Sequence, residues 1–155
     1  MRKNRLLQSS FELLITLSFG LALLLPLVIV AFLQLAGANV SLSSVEAQQA
    51  ASKLASTATL VGSEGVPAKQ LVQIQVPSSV TSIYVGNVNN TTGHEVIFVV
   101  SSPSGSSYIT AYSPVNLSGS LQSIENAGTY LVNVSAVSSC PSNTLMPCVY
   151  MSERT

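Results

Sequence analysis

The chain has 155 residues, 47% of them hydrophobic, and only six basic and six acidic residues, none of the acids being Asp. It is too apolar for an ordinary soluble domain and too long for a bare membrane anchor, so one segment in lipid followed by one small outer domain fits best. The formal net charge of zero gives no electrostatic reason to bind nucleic acid.

Charge is unevenly placed along the chain. Arg2, Lys3 and Arg5 precede the first apolar run, so residues 1–7 read as a basic leader. By the positive-inside rule that end stays cytoplasmic and the C-terminal bulk is extracellular, which makes this a single-pass protein of the cell membrane. Residues 8–36 read as a transmembrane or assembly helix. Its uncharged part, Leu13 to Leu35, is roughly 23 residues or about 34 Å of helix, enough to cross a hydrocarbon core of about 30 Å. A cleaved secretory signal competes with this reading, because Ala36-Gly37-Ala38 offers small residues to a signal peptidase and would release a product starting near Asn39. Against cleavage, the apolar stretch exceeds the usual signal core of about 7–15 residues and has Glu12 at its entrance. Gly20 and Pro26 mark a bendable span, which a membrane tolerates when neighbouring groups satisfy the freed carbonyl.

Residues 37–65 change character and predict an amphipathic helical stalk. Val45, Ala47, Ala50, Ala51, Leu54, Ala55, Ala58 and Val61 recur at helical spacing among Ser, Gln and Thr. Gly62-Ser63-Glu64-Gly65 and then Val66-Pro67 end the helix. Such a helix serves either as a stalk or cover for a β domain, or in helix-to-helix assembly.

From residue 66 to 155 the period falls to two. The run from Leu71 to Val76 alternates less cleanly than a one-sided strand. Val80 to Val85, Glu95 to Val100, Tyr108 to Tyr112, Thr129 to Val137 and Cys148 to Met151 are β-branched or aromatic. Turn clusters such as Pro77-Ser78-Ser79 and Asn126-Ala127-Gly128 separate them. The expected fold class is α+β: a long N-terminal hydrophobic helix, extended by an amphipathic helix and followed by a small antiparallel β-sandwich-like domain.

Two features suit an extracellular β domain. Asn39, Asn89, Asn90, Asn116 and Asn133 each begin an N-glycosylation triplet. Cys140 and Cys148, the only cysteines, flank a short loop with Pro141 and Pro147 and are expected to form a disulfide that pins the last strand.

No constellation for chemistry stands out. The sole histidine, His94, has Glu95 as its one nearby acid and no Asp to orient it, so an edge-strand or solvated role is favoured over a catalytic one. The external acids lack metal-ligand spacing, two thiols would under-ligate zinc, and no Gly-rich phosphate loop occurs. The expectation is a protein that is not an enzyme, with no catalytic, cofactor or metal residues and no small-molecule substrate. Tyr84, Tyr108, Tyr112, Tyr130 and Phe98 read as core or cross-strand packing.

Gln8, Ser10, Glu12 and Leu13, between the basic leader and the apolar helix, remain to be explained. This stretch resembles the class III signal peptide of archaeal type IV pilin-like proteins, Q-x-S-x-E followed by aliphatics. The resemblance covers about the first 35 residues, with only general architecture shared beyond. It implies that a prepilin-peptidase-like membrane protease cuts between Leu7 and Gln8, that Gln8 becomes the mature first residue, and that Glu12 is the assembly acid. Helices of many copies, or of related pilins, would then bundle on an assembly platform into a filament or pseudopilus with the β domains outside, where surface contact and adhesion are expected. Pro26 resembles the mid-helix proline of pilins, whereas Leu7 departs from the small residue usual before the cut. The alternative is a single-pass surface protein that never polymerises and binds a partner through its β domain.

Overall fold

The computed structural model describes residues 2–89, 91–102, 105–124, 126–142 and 145–154, without the side chains of residues 2–10, 36, 37, 39 and 40. Helix α1 is assigned over Arg2–Glu64 and contributes to two compact units, residues 1–39 and 40–155.

In the first unit the segment Phe11–Leu35 is long and apolar enough to cross a membrane. Its large apolar side chains, from Phe11 to Leu35, are each more than half exposed on all sides of the helix. The few polar groups are handled locally: the Thr16 hydroxyl lies 3.1 Å from the Glu12 carbonyl and 2.9 Å from that of Leu13, so it donates back into the helix. Pro26 sits inside the helix and lacks the N–H that would reach the Ala22 carbonyl.

The second unit is built on six strands: β1 (Lys69–Val76), β2 (Val80–Gly86), β3 (Gly93–Ser102), β4 (Gly105–Ser120), β5 (Gly128–Val137) and β6 (Cys148–Glu153). They form one sheet in the order β1-β5-β6-β4-β3-β2, antiparallel except for the parallel β4–β6 pair. The protein is therefore α+β, with an apolar N-terminal helix followed by a mostly antiparallel sheet. Where the strand pattern suggested a sandwich-like pair of sheets, the described strands lie in one sheet.

The physical reason is the second part of α1. Ala47, Ala50, Ala51, Leu54, Ala55, Ala58 and Val61 are buried, and they share one core with the sheet residues. Alanines let the helix approach the strands closely, and this stripe occupies the face that a second sheet would otherwise cover. Val45, read as part of the same stripe, is half exposed instead.

Register lines the core up in rows across the sheet. Val72 opposes Val132, Val134 opposes Met151, Val96 lies between Val85 and Ala111, and Phe98 lies between Ile83 and Ile109. In β1 the alternation is cleaner than its sequence suggested: Val72, Ile74 and Val76 are buried while Leu71, Gln73 and Gln75 are exposed. The helix ends at Gly65, whose positive φ of 72° turns its N–H back to the Val61 carbonyl at 3.1 Å. At the sheet's β1 edge, Lys53 Nζ donates to the Gln73 carbonyl at 2.8 Å, so a helix charge blunts the exposed strand.

Candidate functional site

The sequence pointed to three groups of residues, one in the first unit and two in the second. Leu7 and Gln8 occupy helical positions in α1, and their side chains lie outside the described residues. Glu12, one turn further on, is described and exposed at the start of the apolar segment. Carboxylate and greasy surface are thus presented together, and the only charge on Phe11–Leu35 stands at its N-terminal end. Such a surface is stable in water at no reasonable cost, since each large apolar side chain loses about 1.5–3 kcal/mol of burial energy by staying exposed.

The second group is the disulfide loop. Cys140 and Cys148 are joined, with Cα atoms 5.4 Å apart, and both are buried. The bridge anchors the start of β6, the strand that pairs in parallel with β4. Around it the Thr92 and Ser142 hydroxyls meet at 2.6 Å, and Ser142 lies 3.3 Å from Ser118. These bonds tie the β2–β3 loop and β4 to the disulfide loop. Replacing both cysteines by Ser frees a loop with a sequence separation of 8, which on the chain-entropy account costs about 2.5 kcal/mol. Denaturant unfolding of the detergent-solubilised full chain should show that loss with little change in slope.

The third group surrounds His94. It is exposed at the start of β3, with its ring 5.9 Å from that of Tyr112 and Nδ1 3.1 Å from the Val115 carbonyl. A carbonyl only accepts, so Nδ1 carries the proton and donates to it. The bond secures an irregular stretch where β4 carries extra residues between Tyr112, opposite Glu95, and Leu117, opposite Gly93. Ser113 in that stretch is buried and meets Thr59 of the helix at 2.9 Å, hydroxyl to hydroxyl. His94 is thus held by packing and hydrogen bonding, with no acid or nucleophile arranged around it in the described contacts. Among the described residues no three His, Cys, Asp or Glu gather as a metal site.

Two of the shallow grooves on the second unit run beside the helix. One, of about 320 Å³, lies between the helix and β1 and includes Glu46, Lys53, Gln73 and Thr129. The other, of about 380 Å³, is lined by Gly62, Val115, Asn116 and Pro147 among others.

The predicted aromatics divide. Phe98 is fully buried, Tyr84 and Tyr130 are half-buried, and Tyr108 and Tyr112 stand exposed on β4. Of the sequon asparagines, Asn89 is exposed while Asn116 and Asn133 are half-buried. Asn90 and the side chain of Asn39 lie outside the described residues. No protein-family model, no curated protein and no solved structure matches this chain.

Proposed function

We propose that this chain is a type IV pilin-like structural subunit, cut before Gln8 and assembled through its N-terminal helix into a cell-surface filament or pseudopilus. The observation that carries the reading is the helix surface from Phe11 to Leu35, apolar and exposed on every side, with Glu12 alone at its entrance. In the membrane, lipid covers that surface. In a filament, copies of the same helix or of related pilins cover it, and the β domain faces outward, where contact with surfaces follows.

Glu12 supplies the register. Cutting before Gln8 removes the leader's three basic residues and leaves a new amine one helical turn before the acid. Within one helix end the acid does not reach that amine easily. The amine of a neighbouring subunit can reach it, so two charges that would each be costly in an apolar bundle neutralise one another. The partners implied are the membrane, copies of this chain or related pilins, a prepilin-peptidase-like protease and an assembly platform.

The mature N-terminus of protein from native membranes, read by mass spectrometry of the N-terminal peptide, tests this. A start at Gln8 is the expected result. An intact Met1 would replace the reading with a membrane-anchored surface protein that does not polymerise, and a start near Asn39 would make the apolar helix a discarded signal.

A further inference from the structure

The sequons are equivalent in sequence but not in the fold. We propose that Asn89 is the residue that accepts an N-linked oligosaccharide, and that Asn116 and Asn133 remain unmodified. The proposal rests on the outward placement of the β domain argued above.

An acceptor sequon has two working parts: the amide Nδ2, and the hydroxyl two residues on, which must enter the transferase together with it. In Asn89-Asn90-Thr91 both described parts are open, since Asn89 and Thr91 are exposed in the loop between β2 and β3. That loop also has a firm base. At its two ends Gly86 and Gly93 are in backbone contact, and Thr92 is bonded to Ser142 at 2.6 Å. The acceptor is therefore presented on a tip whose root is fixed.

The other two described sequons are more enclosed in both parts. Asn133 lies on β5, between Leu71 of β1 and Ser152 of β6, and its Oδ1 is buried without a hydrogen-bond partner among the described residues. Its second part, Ser135, is half-buried with its hydroxyl 3.4 Å from the Tyr150 carbonyl. A sugar on Asn133 would have to stand among its cross-strand neighbours. Asn116 is half-buried in the irregular part of β4, and its partner hydroxyl, on Ser118, is buried and 3.3 Å from Ser142.

The donor is an oligosaccharide carried on a polyprenyl phosphate. A bond forms between Asn89 Nδ2 and C1 of the first sugar as the bond from C1 to the phosphate oxygen breaks. The lipid phosphate leaves with the bonding pair, one amide proton is lost to it, and nothing is oxidised or reduced.

Glycopeptide mass spectrometry of the full chain from native membranes tests the assignment. The expected result is sugar mass on the peptide holding Asn89 and unmodified masses for those holding Asn116 and Asn133. The overlap of two sequons allows a sharper check. Thr91→Val destroys the pattern at Asn89 and keeps it at Asn90, whereas Thr92→Val does the reverse. Loss of sugar from this loop in Thr91→Val and its retention in Thr92→Val support Asn89. Sugar on Asn116 or Asn133, or sugar that survives Thr91→Val on this loop, overturns it. A wild-type chain without sugar overturns it as well, and protease treatment of intact cells then locates the failure. Digestion of the β domain means that only the acceptor assignment fell, while protection means that the outward placement fell with it.

Discussion

Glu12→Ala is expected to abolish filaments while the protein still accumulates in the membrane. At about 4 Å and an effective dielectric near 20, a carboxylate–ammonium pair contributes about 4 kcal/mol. Losing it would weaken each subunit contact by a factor on the order of 1,000, and the partner amine would be left unpaired in an apolar bundle. Insertion moves the other way, because removing an acid makes a membrane helix more apolar. Two readouts thus separate pairing from anchoring: filaments sheared from cells and imaged by electron microscopy, and protein in the membrane fraction. Glu12→Gln should behave like Glu12→Ala, since it keeps shape and hydrogen bonding and loses only the charge. Normal filaments in either variant would remove the pairing role, although the exposed apolar surface from Phe11 to Leu35 would still need a cover.

Most elements of the second unit were legible in the chain because their signals are local. The alanine stripe from Ala47 to Val61 repeats with the helix period, and β-branched runs such as Val80 to Val85 announce strands by residue type. What stayed hidden depends on distant residues. The run ending at Tyr112 gave no reason to continue, yet β4 goes on through Pro114 to Ser120, because Leu117 to Ser120 find a parallel partner in β6. No local pattern encodes that pairing, nor the order that puts β5 between β1 and β6. The sandwich expectation came from the number of short strands, whereas the described strands share one core with seven apolar helix residues between Ala47 and Val61, five of them alanine. For the candidate site the balance is reversed. Glu12 stands out in sequence because an acid beside a membrane-length apolar run is costly, whereas the fold of one chain adds only its exposure. Which sequon is open is a matter of burial and came only from the fold.

The fold itself makes the second large prediction: Gly93→Ala should destabilise the β domain by at least about 3 kcal/mol. A Cβ at Gly93 would overlap the Gly86 carbonyl, and Gly86 cannot yield. It already holds a positive φ of 93°, and its own α-carbon faces the carbonyls of Thr91 and Leu117. Backbone surrounds the contact, so no side chain can swing aside to relieve it. The hairpin base would have to open, against the Gly93–Leu117 register and the bond from Thr92 to Ser142. The same chemical change at Gly20, with nothing within 4 Å, should leave the domain's melting unchanged. For a domain of this size the loss corresponds to a fall in Tm of roughly 10 °C or more, read by near-UV circular dichroism of the solubilised full chain. If Gly93→Ala melts with the wild type, β2 and β3 do not close on each other at Gly86 and Gly93. The firm root under Asn89 would then be lost, and with it one of the reasons for choosing that asparagine over the others.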